Sequence, residues 1–225
     1  MIDFFERIKT KKHYMIVGFT TILALLIYQL VERTSFNTTR KALQTFTISV
    51  TLVILSITII DLLFLIYLIQ LKVVNYWHFN SKLKFKVKNF LYILLAISVM
   101  MIMQYIVALL SPHATSTNQA SLNSLIDKTW LVKLFVGFVA PICEEFIYRG
   151  MFFNMIFTKE NKMNFYLGII WNGLLFGFLH DPTFTPYFSA YAFMGTILAY
   201  VYLKTKDIRS SMIVHMINNC VSMVI

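Results

Sequence analysis

The sequence predicts an all-α protein built as a polytopic helical bundle in a membrane, and three observations support this fold class. Of the 225 residues, 58% are hydrophobic and the mean hydropathy is +0.70, whereas average soluble domains are roughly 45–50% apolar. Apolar segments of about 20 residues, the length that crosses a bilayer, recur along the whole chain. The basic residues are concentrated in the loops between these segments.

Seven membrane spans are predicted, with an eighth if the long second segment is split. They cover residues 14–31, 43–71, 89–110, 131–157, 165–180, 187–203 and 208–224. The second is long enough to be tilted or kinked, and the fifth is short. The first follows a basic segment, as a signal peptide does, but no small-residue cleavage site follows it, so it is interpreted as a retained helix. Without a linker or a low-complexity tract, residues 1–225 are predicted to form one membrane domain.

The loops predict the orientation of these spans. Residues 1–13, 72–88, 158–164 and 204–209 are basic, whereas the alternate loops 111–128 and 181–186 are not, and 32–42 is an exception. The positive-inside rule therefore places the N-terminus in the cytoplasm and the C-terminus outside. The rule, together with anionic headgroups, accounts for the net charge of +10. Because this charge is spread over short loops, no nucleic-acid partner is expected.

Ionisable residues are rare within the spans of the first half of the chain. Asp61 is the exception, and we interpret it as the mark of a kink or a wet helix end. Cys143 and Cys220 lie in separate apolar spans. We interpret them as small packing residues rather than a disulfide framework.

The stretch "EEFIYR", residues 144–149, places three charged residues inside the fourth span. Charges at membrane depth are costly and by default mark a functional site. Glu145 and Arg149 are four residues apart, so on a helix they share a face and can form an ion pair. Glu144 is rotated by about 100° from its neighbour, so its carboxylate points elsewhere. A purely structural ion pair would not need this second glutamate.

Two further stretches carry polar side chains on separate predicted helices. In "WNGLLFGFLH", residues 171–180, Phe176 lies one turn before His180, and Gly173 and Gly177 allow a neighbouring helix to approach closely. In "HMINN", residues 215–219, His215 and Asn219 share a helical face one turn apart. Each stretch alone is more typical of an interfacial side chain or of hydrogen bonds between helices.

Taken together, the three stretches suggest a shared cavity. A carboxylate, two imidazoles and an amide are groups that activate water and stabilise an oxyanion. The other histidines, His13, His78 and His113, lie in predicted loops and are not part of these three stretches.

At residues 131–224 the ordered motifs resemble the CPBP intramembrane proteases, which include CAAX-prenyl endopeptidases and bacteriocin-processing enzymes and are also called the Abi family. The motifs are Glu-Glu-x-x-x-Arg, Phe-x-x-x-His and His-x-x-x-Asn. In this sequence they are Glu144, Glu145 and Arg149, then Phe176 and His180, then His215 and Asn219. Residues 1–130 match only as generic membrane helices, so residues 131–224 would form the catalytic core.

The resemblance implies hydrolysis of a peptide bond in the membrane. Glu144 would act as the general base and His180 would hold the water. His215 and Asn219 would stabilise the oxyanion, and Glu145 with Arg149 would support the site. Its substrates would be leader, pheromone or CAAX-type peptides or lipidated proteins. The small size favours a bacterial cell membrane.

The sequence leaves two mechanisms open, one with zinc and one without a metal. The family has been labelled metalloprotease, and Glu144, His180 and His215 could supply two histidines and a glutamate to zinc. The chain contains no His-Glu-x-x-His signature, and the resemblance favours a glutamate mechanism without metal. A thiol protease based on Cys143 is a weaker hypothesis, because apolar surroundings disfavour the thiolate.

Two points complicate this interpretation. The predicted topology places His180 near the outer end of its helix and His215 in the inner half of the last one, so a shared site would require residues 181–186 to fold back into the bundle. A different class of function also stays open: a non-catalytic scaffold, an immunity or regulatory protein, or a small transporter. Inverted repeats would favour a transporter, and none is evident in the sequence.

Overall fold

The computed structural model describes residues 15, 18–21, 23–24, 26–28, 46–73, 75, 77–80, 86–110, 130–157 and 159–223. Within these residues the secondary structure is helical, without strands. We label the helices α1 to α7 in chain order. They are Gly18–Tyr28, Phe46–Val73, Asn89–Leu110, Trp130–Met155, Lys162–His180, Pro186–Thr205 and Ile208–Ser222.

The described part of each predicted span overlaps one of these helices, so the all-helical fold class is confirmed for the described residues. Val53–Lys72 in α2 and Asn89–Leu110 in α3 are long and apolar enough, by length and composition, to cross a membrane. The outward-facing residues of both helices include many exposed large hydrophobic side chains, as expected for contact with lipid. Seven crossings remain a prediction.

Helix α2 is one helix rather than two, since it continues from Phe46 to Val73. Asp61 lies about halfway along it and is exposed. The interpretation of Asp61 as a wet helix end is therefore wrong.

Helix α4 departs from regular α geometry in two places. Its α-helical parts, Trp130–Leu134, Ala140–Glu145 and Phe152–Met155, are separated by π turns at Phe135–Val139 and Phe146–Met151. Pro141 explains the first π turn, because its ring would clash with the carbonyl four residues earlier in a regular α-helix and it has no N–H to donate. The second π turn follows the two glutamates directly, and π turns are frequent at functional sites.

Helices α5 and α6 cross at close range, as the small residues of α5 predict. A Cβ atom added to Gly173 would lie 2.1 Å from Thr196 Oγ1 and 2.6 Å from the carbonyl oxygen of Ala192. One added to Gly177 would lie 3.0 Å from the Ala192 nitrogen. Glycine is needed at both positions because the two backbones leave no room for a side chain.

The loop between α5 and α6 is organised by Asp181, which is fully buried. Its carboxylate accepts hydrogen bonds from the Thr183 hydroxyl at 2.6 Å and from the Thr185 backbone nitrogen at 3.0 Å. Thr185 in turn caps α6 by accepting from Tyr187 N at 3.2 Å. The loop directly after His180 therefore has a defined hydrogen-bonded structure.

Three of the basic loops meet at one end of the bundle. Trp77 Nε1 donates to the Phe157 carbonyl, and Glu160 contacts Lys206 Nζ at 2.5 Å and His78 Nδ1 at 3.3 Å. Partial burial by itself raises the pKa of Glu160, but the hydrogen bonds from Lys206 and His78 outweigh it and lower the pKa below its usual value. The loops lie on one side, as the alternation of basic loops predicts. Their assignment to the cytoplasm stays a prediction.

Candidate active site

The two adjacent glutamates of α4 face different neighbours. Glu145 is fully buried, and its Oε1 lies 2.9 Å from Arg149 Nη1, which confirms the ion pair predicted from their spacing. Glu144 is also buried, but its carboxylate is directed towards histidines of two other helices. One carboxylate is therefore balanced by an arginine while the other is left for a separate role.

Glu145 also contacts α7. Its Oε1 accepts a hydrogen bond from His215 Nδ1 at 2.9 Å, so this oxygen is shared between His215 and Arg149. Arg149 is fully buried and donates from Nη2 to the carbonyl of Gly195 at 3.3 Å. The sequence predicted the contact with Arg149 but not the contact with His215, which joins two helices far apart in the chain.

Glu144 lies between the two imidazoles that the motifs single out. Its Oε2 is 3.6 Å from His180 Nε2 and 3.7 Å from His215 Nε2. Glu144 comes from α4, His180 from the last residue of α5 and His215 from the middle of α7. The expected difference in depth between the two histidines is therefore wrong, because both reach the same carboxylate oxygen.

The hydrogen bonds of the imidazoles define their tautomers. His180 Nδ1 lies 2.8 Å from the carbonyl oxygen of Phe176, and a carbonyl can only accept, so this nitrogen carries a proton. The same reasoning applies to His215 Nδ1 and the Glu145 carboxylate. In neutral imidazoles both Nε2 atoms are then acceptors. Glu144 Oε2 and two acceptor nitrogens thus face one another, an arrangement that suits a water molecule or a proton held among them.

Phe176 packs at the centre of this cluster and is fully buried. Its ring stacks on His180 with centroids 4.1 Å apart and meets the His215 ring edge-on at 5.8 Å. The Arg149 guanidinium carbon lies 4.7 Å from the same ring centroid, a cation–π distance. Phe176 therefore holds the orientation of both histidines and excludes water from the buried ion pair.

Asn219 makes a hydrogen bond that the first π turn of α4 explains. Its Nδ2 donates to the carbonyl of Val136 at 2.9 Å. In a regular helix this carbonyl would accept from Ala140, but Ala140 N–H bonds to Phe135 instead. The next possible donor along the chain is Pro141, which has no N–H. Asn219 supplies the missing donor and retains a second amide N–H.

Sequence reasoning missed Tyr28 of α1, which is buried and whose hydroxyl lies 3.0 Å from Glu144 Oε1. A tyrosine near the end of an apolar span is ordinarily an interfacial residue, so no local signal distinguished it. Sequence reasoning also missed Gln104 of α3, which donates to Asn218 Oδ1 at 2.7 Å. Gln104 ties α3 to the helix that carries His215 and Asn219.

The zinc alternative requires Glu144, His180 and His215 to converge on one point. Tetrahedral zinc ligands at about 2.0–2.2 Å from the metal lie about 3.3–3.5 Å from each other. Glu144 Oε2 is slightly further than this from both Nε2 atoms. Within the described ranges no three His, Cys, Asp or Glu side chains are grouped in the way expected for a metal ion. The choice between a zinc mechanism and a mechanism without metal stays a prediction.

Cys143 and Cys220 form no disulfide. Cys143 is buried in the hydrophobic core beside residues of α2 and α4. This position agrees with the interpretation of Cys143 as a packing residue.

Comparison with known proteins identifies relatives of this region. Residues 126–221 match the model of the Type II CAAX prenyl endopeptidase Rce1-like family. The membrane-embedded CAAX protease MroQ of Staphylococcus aureus (strain USA300) is 29% identical over 168 residues, which is 68% of this chain and 65% of that protein. The UPF0177 protein YvdC of Lactococcus lactis subsp. lactis (strain IL1403) is 29% identical over 119 residues, 52% of this chain and 44% of that protein.

The putative membrane peptidase YdiL of Bacillus subtilis (strain 168) is 29% identical over 104 residues, 46% of this chain and 41% of that protein. The alignments thus span between 41% and 65% of the length of these relatives. No solved structure matches the chain. The matched segment contains both glutamates, Arg149, Phe176, both histidines and Asn219. The resemblance recognised in the motifs is confirmed, because residues 126–221 of this chain are similar to the Rce1-like CAAX protease family.

Proposed function

We propose that this protein is an intramembrane endopeptidase that hydrolyses a peptide bond with water activated by Glu144. The observation that carries the proposal is the position of Glu144 Oε2, which is buried and lies 3.6 and 3.7 Å from the two imidazole Nε2 atoms. Both distances are longer than an ordinary hydrogen bond. A carboxylate oxygen so placed is available to accept a proton from water.

The reaction would proceed by attack of this water on the carbonyl carbon of the scissile peptide. His180 Nε2 and Glu144 Oε2 each accept a hydrogen bond from the water, and one proton passes to Glu144 as the oxygen–carbon bond forms. When the tetrahedral intermediate collapses, the carbon–nitrogen bond breaks and Glu144 returns the proton to the leaving amine. The same residue thus serves as base and then as acid.

The oxyanion of the intermediate would be stabilised from α7. The second amide N–H of Asn219 is one donor, because the first is occupied by Val136. His215 is the other, and since its Nδ1–H faces Glu145, donation from Nε2 requires the imidazolium. Two carboxylates and one guanidinium leave one negative charge unbalanced in the cluster. A single imidazolium would make the cluster neutral, which lowers the cost of burying it.

The proposed mechanism uses no metal or other cofactor. It is supported by the donor pattern, in which hydrogen bonds fix both histidines while a carboxylate oxygen faces them. The zinc-dependent alternative is decided by metal analysis and not by this arrangement.

The proposed substrates are membrane-associated peptides of the leader, pheromone or CAAX type, or lipidated proteins. The name of the S. aureus relative, a CAAX protease, supports this class, as does a site formed by helices of a predominantly apolar chain. We further propose a bacterial cell membrane as the location, with the N-terminus in the cytoplasm.

The experiment that tests the proposal uses the full-length protein purified in detergent and returned to liposomes. Leader, pheromone and prenylated CAAX peptides are incubated with the wild type and with Glu144→Gln, and the products are identified by mass spectrometry. Cleavage by the wild type that is lost in Glu144→Gln is the expected result. If no peptide of any of these classes is cleaved, or if the variant cleaves as fast as the wild type, the proposal fails in favour of a non-catalytic membrane protein.

A further inference from the structure

The α1 helix contributes a side chain to the site although it lies outside the segment that matches the protease family. Tyr28 is only 3% exposed, and its hydroxyl lies 3.0 Å from Glu144 Oε1. A carboxylate can only accept at this distance, so the tyrosine is the donor. The contact joins two residues 116 positions apart in the chain.

Tyr28 is held in place by the packing of α1. Thr21, Ala24 and Tyr28 are all buried, and their spacing of three and four residues puts them on one face of the helix. Gln70 of α2 donates to the hydroxyl oxygens of Thr20 and Thr21, both at 3.1 Å. Hydrogen bonds therefore fix α1 against α2, and the face that ends in Tyr28 points into the bundle.

The two oxygens of the Glu144 carboxylate have different surroundings. Oε1 accepts from Tyr28, whereas Oε2 faces the imidazoles of His180 and His215. The last torsion of a glutamate side chain has a broad, roughly two-fold energy profile. An external hydrogen bond is therefore needed to hold one oxygen towards a bound water.

We propose that Tyr28 is a positioning residue of the proposed peptidase, because it holds the Glu144 carboxylate so that Oε2 faces the water between the two histidines. This inference rests on the proposed function. It assigns to α1 a part in the reaction that the family-matched segment does not supply.

The test compares Tyr28→Phe with Tyr67→Phe in the full-length protein. Tyr67 is a matched control, since it is also a buried tyrosine whose hydroxyl contacts a polar group, the Tyr202 hydroxyl at 3.3 Å, and it has no role in the proposed reaction. We expect kcat of Tyr28→Phe to fall about 10–100-fold, because hydrogen bonds to charged groups are the stronger class. KM should stay unchanged, since the lost contact orients the base rather than the substrate.

Tyr67→Phe should cleave at the rate of the wild type, and its melting temperature should fall no more than that of Tyr28→Phe, because its hydroxyl contacts a neutral group. The inference is overturned if Tyr28→Phe keeps the wild-type kcat, if only KM changes, or if Tyr67→Phe loses as much activity. In each of these cases the proposed function itself still stands.

A second measurement covers the case in which the wild type cleaves no peptide. Thermal unfolding in detergent is measured for Tyr28→Phe, Glu144→Ala and the double variant. The loss caused by Tyr28→Phe should be smaller in the Glu144→Ala background, because the acceptor is already gone. Such coupling in an inactive protein would refute the peptidase and retain the contact, whereas strictly additive losses would refute the contact.

Discussion

The most direct prediction concerns the two adjacent glutamates. Changing Glu144 to glutamine should lower mainly the rate of cleavage, whereas changing Glu145 to glutamine should lower mainly the stability of the fold. Glu144→Gln keeps the size of the side chain and an oxygen that can accept from Tyr28, but the amide cannot take a proton from water. Glu145→Gln removes the charge that Arg149 and His215 share at 2.9 Å each. The first change therefore removes the group that accepts the proton, and the second leaves the buried charge of Arg149 without its counter-ion.

The expected magnitudes follow from these environments. Loss of a general base typically lowers a rate about 10²–10⁴-fold, so kcat of Glu144→Gln should fall by this amount with little change in melting temperature. Arg149 and Glu145 are fully buried, and removing one partner of a buried pair costs about 3–5 kcal/mol. For soluble domains of this length 1 kcal/mol shifts the melting temperature by about 2–4 °C. On that scale Glu145→Gln should melt about 6–20 °C lower.

The assay measures peptide cleavage and thermal unfolding on the same detergent preparations of the wild type and both variants. Activity of Glu145→Gln should also fall, since His215 loses the acceptor for its Nδ1 proton. The reasoning is refuted if Glu144→Gln retains the wild-type kcat, or if Glu145→Gln melts at the wild-type temperature. A large loss of stability in Glu144→Gln would show that this carboxylate is structural.

Three further predictions concern metal, the oxyanion and the helix crossing. Strong chelators should leave cleavage unchanged, and metal analysis should find no stoichiometric zinc; one zinc per chain whose removal abolishes activity and whose return restores it would establish the zinc mechanism. Asn219→Ala should lower kcat about 10²–10³-fold, because the oxyanion loses a donor. It should also destabilise the fold by about 0.6 kcal/mol, the average for a hydrogen bond in a membrane, because the Val136 carbonyl loses its donor. Normal turnover with a small loss of melting temperature would leave Asn219 only a structural role. Gly173→Ala should lower the melting temperature strongly because its Cβ would meet Thr196 Oγ1 at 2.1 Å, whereas no described residue places an atom within 4 Å of the Cβ of the control Gly18→Ala. Equal melting of the two variants would contradict the close crossing.

The sequence by itself determined the features that depend on spacing along one helix. Apolar segments predicted the helices, because a chain that crosses lipid must satisfy its own backbone. The four-residue spacing of Glu145 and Arg149 predicted their ion pair, and Gly173 and Gly177 predicted the close approach of a neighbouring helix, which the structure identifies as α6. Each of these follows from the geometry of a single helix, which a sequence states directly.

The geometry of α4 goes beyond what spacing along one helix can predict. Pro141 in a membrane span signals an irregular helix, but not that the irregularity is a π turn or that Asn219 of α7 supplies the missing donor. Membrane topology also misplaced His180 relative to His215. Depth counted along separate helices ignores how far each helix is shifted in the bundle.

The tertiary structure alone decided which groups face one another across helices. It brought Tyr28 to Glu144, placed His215 on the oxygen shared with Arg149, and thereby showed that Nδ1 of His215 carries a proton. These contacts join residues separated by 70 and 116 positions. Their physical basis is the packing of whole helices, and no local spacing in the chain encodes the relative shift and rotation of two helices.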